Sequence, residues 1–206
     1  MITTRKNKLI EWFFHWYIIK LVDGNFSSFN FNQVKVDNRR SVLLLANHFS
    51  WWDGFVLYYL NQKIFKKRFH IMILEETVRK VFFFKYLGAF SISKNSRDML
   101  ASLNYAADLL KNPDNLVLIF PQGKLYSNFV DEVYFEKGIQ RVIEKAGKNT
   151  QVVFAATFIE NFGHKKPGIN VYLQNNNSNF ATLDELSAAY AQHYSEAKQQ
   201  QTQISI

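Results

Sequence analysis

Apolar positions along the chain fall into two kinds of stretch, and their alternation predicts the architecture. Short continuous runs read as buried strands at residues 41–46, 70–74, 89–92, 116–120, 151–159 and 169–173. Helical spacing or helix-opening signals mark residues 51–60, a short helix begun by Glu75 and Glu76, and a helix with Met99, Leu100, Leu103, Ala106, Ala107 and Leu110 on one face. Two more helices are expected at 138–146, stopped by Gly147, and at 183–197. Polar turns separate these elements, as at Asn112-Pro113-Asp114-Asn115, and Ser96 is placed to cap the helix that follows it. A further strand is expected around 34–36. Strands alternate with helices throughout, so the fold class is α/β: a mixed, largely parallel sheet flanked by helices. No internal repeat is evident.

The N-terminal segment has a different character. Residues 5–22 predict a helix that is basic at Arg5, Lys6 and Lys8 and then dense in Trp12, Phe13, Phe14, Trp16, Tyr17, Ile18 and Ile19. This amphipathic aromatic helix fits a membrane interface and equally fits the surface of the domain. Its apolar run is broken by Glu11, His15 and Lys20, and is too short for a span of about 20 apolar residues. No small-residue cleavage pattern follows it. The chain therefore divides into a helix at 1–24, a main domain at 25–175, and a linker, last helix and polar tail at 176–206. The Gln-rich end is expected to be disordered.

Charge and composition narrow the partners. A formal net charge of +8 favours anionic surfaces, and an aromatic share of 17 %, with 20 Phe, favours lipid or another apolar partner. The basic residues border Phe- and Trp-rich helical stretches, a second one being 81–87 between Lys80 and Gly88. That pattern suits an anionic membrane better than nucleic acid, which calls for basic and aromatic residues interleaved on a sheet or a basic helix. Cysteine is absent, which excludes disulfides, thiolate metal sites and a cysteine acyl-enzyme.

Candidate chemistry concentrates after the first strong strand, in Ala46-Asn47-His48-Phe49-Ser50-Trp51-Trp52-Asp53-Gly54. With Ser50 as N-cap, Trp51 and Trp52 open a helix. His48 then sits at a strand end and Asp53 in the first helical turn, where the side chains can meet. A carboxylate on one ring nitrogen fixes the tautomer and leaves the other nitrogen as a base. Chance spacing and a helix-favouring Asp are the plain alternative. His70 and Glu75 share the spacing, but the apolar residues between them mark a structural pair. Three polar turns follow strands, at 47–53, 93–97 and 121–124, and ligand sites in α/β sheets gather at such strand ends. No nucleophile elbow, P-loop or dinucleotide fingerprint is present.

Three stretches together carry a family resemblance. Asn47-His48-Phe49-Ser50-Trp51-Trp52-Asp53-Gly54 resembles the N-H-x-x-x-x-D block of the glycerophospholipid (lysophosphatidic-acid-type) acyltransferases. Gly88-Ala89-Phe90-Ser91-Ile92-Ser93-Lys94 is similar to their G-x-F-x-x-R block with Lys for Arg, and Phe120-Pro121-Gln122-Gly123 to their F-P-E-G block with Gln for Glu. Residues 152–159 resemble the fourth block without its Pro. The resemblance covers roughly 40–175 and implies transfer of a fatty acyl group from an acyl-CoA or acyl carrier protein thioester to a lipid hydroxyl. It implies His48 as general base, oriented by Asp53. Substrate contacts are implied at Asn47, Lys94, Phe120, Pro121, Gln122, Gly123 and Lys124, with the backbone N–H at Gly123 available to an anion. No metal or resident cofactor is implied, and the place is the cytoplasmic face of a membrane, held peripherally or monotopically. Two of the family's guanidinium positions are Lys94 and Leu125 here, with Arg97 and Lys124 nearby. The acceptor is therefore open: a lysophospholipid or another alcohol-bearing lipid. An inactive lipid-binding relative and a basic nucleic-acid-binding module are the alternatives.

Overall fold

A computed structural model describes residues 1–93, 96–176 and 180–205, with the backbone alone at Ser96. The expected contact from Lys94 and the expected side-chain cap from Ser96 lie outside what is described.

The centre of the molecule is a seven-stranded sheet, and the strand that leads to His48 lies in its middle. The strands are β1 (Ser28–Phe31), β2 (Ser41–Ala46), β3 (Arg68–Leu74), β4 (Ala89–Ile92), β5 (Asn115–Ile119), β6 (Thr150–Glu160) and β7 (Gly168–Asn176), in spatial order β1-β7-β6-β2-β5-β3-β4. Strands β6, β2, β5, β3 and β4 run parallel. Strand β7 returns antiparallel to β6, and β1 pairs parallel with β7. All six residues of β2 are buried, because helices cover both faces of a largely parallel sheet. Each of Leu43, Leu44 and Leu45 thereby contributes roughly 2 kcal/mol of burial.

Alternate residues of the strands feed two cores. On one face Val42, Leu44 and Ala46 meet α1 (Lys8–Asn25) and α2 (Asp53–Lys63) through Ile18, Val22, Val56 and Leu60. On the other face Leu43 and Leu45 meet α4 (Ser96–Leu110), α5 (Gly138–Ala146) and α6 (Leu183–Thr202) through Leu103, Val142, Tyr190 and Tyr194. The short α3 (Glu75–Lys80) and a 3₁₀ turn (Phe84–Leu87) bridge β3 to β4. Gly88 ends that turn at φ 89°, and a Cβ there would lie 1.9 Å from the Phe69 carbonyl oxygen, so no other residue fits.

Several expectations need correction. Helices α1 and α6, placed outside the main domain's bounds, each bury side chains in the cores of the one sheet. Residues 34–36 are not a strand; the edge strand lies earlier, at 28–31, where it finds β7. The Gln-rich end is helical through Thr202, since Gln201 is buried and bonds both Tyr172 and Glu160. Residues 175–176 belong to β7 and not to a linker. Strand β3 is less buried than its composition suggested, with Ile71 alone fully inside.

His70 and Glu75 are not partners: Glu75 pairs with Arg79, while His70 is largely buried in β3. Burial pushes the His70 pKa down to about 4, helped by Lys6 and Arg68 and opposed by the Asn115 side chain. The folded form therefore stays neutral while the unfolded chain takes a proton below about pH 6.5. Stability falls as pH drops from about 6.5 to about 4 and levels off below, by at most roughly 3 kcal/mol from this group. Buried His193 shifts in the same direction. Urea midpoints at pH 7.5, 5.5 and 4.5 test this. His70→Gln is expected to flatten the decline, and an unchanged slope would show that His70 does not carry it.

Candidate active site

Strand β2 ends at Ala46, and the next residues leave the sheet at its carboxyl edge. Asn47 is buried and splices this exit to the neighbouring strand. Its Nδ2 donates to the Thr157 carbonyl at 2.9 Å, and its Oδ1 accepts the Thr157 N–H at 2.8 Å. The side chain thus copies a backbone pairing one residue beyond the β2–β6 ladder. Both its ends are used in this way, so Asn47 clamps the start of the loop to β6.

His48 follows, half-buried, and Asp53 opens α2 with 1 % of its side chain exposed. The rings and chains here are fixed by a single oxygen. Asp53 Oδ2 accepts from His48 Nδ1 at 2.8 Å, from the Phe49 N–H at 2.8 Å and from the Ser50 N–H at 2.9 Å. A carboxylate oxygen only accepts, so Nδ1 carries the proton and Nε2 of neutral His48 keeps its lone pair. The imidazole lies flat on Phe120, with centroids 4.0 Å apart and planes 11° apart. Ser50 does not cap α2 as expected. Its Oγ accepts the Trp52 N–H within a turn, and the helix begins only at Asp53, whose carboxylate reaches back over the preceding N–H groups.

The turn after β5 meets this loop from the other side. Gln122, 3 % exposed, accepts the His48 N–H on Oε1 at 2.6 Å. The Tyr126 N–H donates to the His48 carbonyl at 3.0 Å. Phe120 and Pro121 form the floor and start of the turn, and Gly123 takes φ 66° within it. The Gly123 N–H donates to the Phe120 carbonyl at 3.2 Å and is tied into the turn. Lys124 and Leu125 are exposed, with Lys124 Nζ 5.1 Å from the Tyr126 ring centroid.

Two of the three polar turns therefore converge. The third begins after β4, which lies three strand spacings from β2, and its residues 94 and 95 fall outside those described. Arg97 is exposed in the first turn of α4. Sequence reasoning missed Thr157 and Tyr126, because each acts through its backbone and neither residue type signals that. It also missed a cavity of about 500 Å³ beside the loop, walled by Asn25, Phe26, Phe49, Ser50, Trp52, Asn128, Phe129, Ile159 and Pro167. A smaller cavity of about 190 Å³ lies at the amino ends of β2 and β6, the far edge of the sheet from His48. No cluster of metal-ligating side chains occurs among the described residues.

An oriented imidazole with a free lone pair can take a proton from a hydroxyl brought to it. Comparisons with known proteins show the family and the fold. No curated protein matches the sequence. The fold is similar to the crystal structure of the 1-acyl-sn-glycerophosphate (LPA) acyltransferase PlsC from Thermotoga maritima, with a TM-score of 0.63 and 19 % identity, covering 97 % of this chain and 81 % of that one. The Acyltransferase family model matches residues 29–159, from β1 through β6, a span that takes in His48, Asp53 and Gln122. The chain belongs to the acyltransferase family.

Proposed function

We propose that this acyltransferase moves a fatty acyl group from an acyl-CoA or acyl carrier protein thioester to the hydroxyl of a lyso-lipid at a membrane surface. The observation that carries the reading is the 2.8 Å bond from His48 Nδ1 to a buried Asp53 oxygen held by two further N–H groups. His48 Nε2 takes the acceptor's hydroxyl proton as the oxygen attacks the thioester carbonyl. The new C–O ester bond forms and the C–S bond breaks. The departing thiolate recovers the proton from the imidazolium, so no acyl-enzyme and no metal is needed. Asp53 holds the ring in the tautomer this requires. The largely apolar cavity beside Phe49 and Ser50 suits a hydrocarbon chain.

The membrane is the natural source of such a substrate. Helix α1 packs on the domain through Ile18 and Val22 and through Phe14, which stacks on Phe83 at 3.9 Å. Its other face exposes Leu9, Trp12, Phe13, Trp16 and Tyr17. A basic chain with this aromatic face fits a peripheral hold on the cytoplasmic side of an anionic bilayer. No helix among the described residues is long and apolar enough to cross a membrane.

Three outcomes are expected. His48→Ala is expected to lower turnover about 10²–10⁴-fold with the fold intact, and Asp53→Asn to impair it by misorienting the ring. Mass-spectrometric assay of purified protein with mixed acyl donors and a lyso-lipid panel reads this, and near-normal turnover of His48→Ala would sink the mechanism.

Trp12→Ser, Phe13→Ser and Trp16→Ser combined are expected to release the protein from anionic vesicles without unfolding it, because these side chains are exposed. High salt is expected to weaken the binding of the unaltered chain. Co-sedimentation checks both, and full retention of the triple variant would place the membrane contact elsewhere.

The third outcome concerns the acceptor. The Thermotoga maritima enzyme's name makes a lysophosphatidic acid the starting point. Two of the family's guanidinium positions, however, are Lys94 and Leu125 here, with Lys124 and Arg97 as the further cations the chain offers. Each charged hydrogen bond missing from a phosphate costs on the order of 1.5–3 kcal/mol, or roughly ten- to a hundred-fold in affinity. Uncharged or zwitterionic lipid alcohols are therefore expected to compete with lysophosphatidic acid of equal chain length. A preference for lysophosphatidic acid above about a hundred-fold would overturn this expectation.

A further inference from the structure

The cavity beside the His48 loop is walled in part by three loops, and each of them leaves an aromatic ring in solvent. Trp52 walls it from the loop after β2, and its neighbour Trp51 is 61 % exposed. Phe129 walls it from the segment after β5 and is itself 80 % exposed. Pro167 walls it from the turn between β6 and β7, and Phe162 in that turn is 45 % exposed. Single exposed apolar residues are ordinary, but large rings on every loop around one cavity mark a contact surface. Phe162 also has φ 43°, a left-handed conformation that bulky residues rarely take, and its ring joins neither core. Strain of this kind, unrewarded by packing, points to a use outside the fold.

The same loops carry cations and no carboxylate. Residues 49–52, 124–130 and 161–167 hold the exposed Lys124, Lys165 and Lys166, and no Asp or Glu. Of the carboxylates that flank them, Asp53 is buried, Asp131 pairs with Lys198 at 2.7 Å and Glu160 accepts from Gln201, which leaves Glu132 exposed. Rings beside ammonium groups fit the interface of an anionic bilayer, where aromatics sit at headgroup level and lysines meet phosphates. The cavity decides between partners of that charge, because on the acyl-transfer reading its occupant is a hydrocarbon chain that starts in a bilayer. We propose that the mouth of this cavity is seated on the anionic bilayer, with Trp51, Phe129 and Phe162 in the interface and Lys124, Lys165 and Lys166 on the headgroups. The inference rests on the membrane-surface reading above and adds to it the face that the protein turns to the lipid. Helix α1 supplies the hold, and the rim of the cavity aims the site. A chain that crossed water on its way in would be disfavoured about fourfold for each methylene exposed, and a seated mouth avoids that crossing.

The chain has no cysteine, so a single introduced cysteine can be labelled at a chosen place. Phe129→Cys, Phe162→Cys and, as a control, Lys148→Cys at the far edge of the sheet each carry an environment-sensitive nitrobenzoxadiazole label. With vesicles of equal parts phosphatidylglycerol and phosphatidylcholine, emission from positions 129 and 162 is expected to move to shorter wavelength and emission from 148 to stay. Phe162→Asp reads the consequence for turnover, with palmitoyl-CoA as donor. It is expected to lose about tenfold or more with 1-oleoylglycerol 3-phosphate carried in the vesicles, and to stay within about threefold of wild type with 1-hexanoylglycerol 3-phosphate dissolved as monomer. Protein that sediments with the vesicles while its labels at 129 and 162 do not shift would overturn the proposal and leave the membrane reading standing. Equal turnover losses of Phe162→Asp with both acceptors, or none with either, would overturn it too. A shift that grows with protein concentration in the absence of vesicles would give the rim to a second copy of the chain and overturn it. Failure of the unaltered chain to sediment with the vesicles would overturn the membrane reading, and this inference with it. Wild-type turnover no higher than that of His48→Ala would overturn acyl transfer, and the labels would still decide the surface.

Discussion

The candidate site hangs on one carboxylate oxygen. Asp53 Oδ2 collects the His48 ring and two consecutive backbone N–H groups, while Oδ1 is buried without a partner. A buried polar atom left unpaired costs of the order of 1–3 kcal/mol, so the carboxylate is not arranged for greatest satisfaction. It is arranged so that three donors from residues 48–50 converge on a single point. That convergence curls the chain between β2 and α2 into one conformation. It also holds the imidazole plane against Phe120. Removing the oxygen would free the ring and the loop together.

The sheet supplies the second half of the constraint. Strand β2 lies between β5 and β6, and the His48 segment is held from both sides, by Thr157 within β6 and by Gln122 beyond the end of β5. From the β6 side the Thr157 backbone takes both ends of Asn47, and from the β5 side Gln122 takes the His48 N–H. His48 is therefore bracketed across both flanks of a strand that is itself wholly buried. A site built at the end of an edge strand would lack one of these brackets. The central position of β2 is thus a property of the site as much as of the fold.

Much of this was legible in the chain and some was not, for physical reasons. Strand β4 and helix α5 were readable to the residue, because Gly88 and Gly147 stop their neighbours by backbone geometry alone. Strand β1 was not readable, because Ser28–Phe31 carries no apolar run and is a strand only through its pairing with β7. Helix α6 ran past its expected end because Gln201 is held by Tyr172 and Glu160, contacts that composition cannot show. In the site, the His48–Asp53 encounter is local and follows from spacing. The use of Asn47 as a splice depends on Thr157, 110 positions away, and the closing of the Gly123 N–H depends on the turn's exact path. Local geometry was legible; partners distant in sequence were not.

Helix α1 shows how the parts join. The apolar stripe of a surface helix ordinarily faces the core. Here only the side with Ile18 and Val22 is enclosed, and five large apolar residues are left outside. The carboxyl end of the same helix supplies Asn25 and Phe26 to the cavity, whose opposite wall is Phe49 and Ser50. Those two residues give Asp53 its backbone N–H bonds. The same helix thus carries an exposed aromatic face along its length and part of the cavity wall at its carboxyl end. The aromatic helix is then neither a simple anchor nor a simple core element. Its inner face belongs to the core through Ile18 and Val22, and that packing sets where its carboxyl end meets the cavity beside residues 49 and 50.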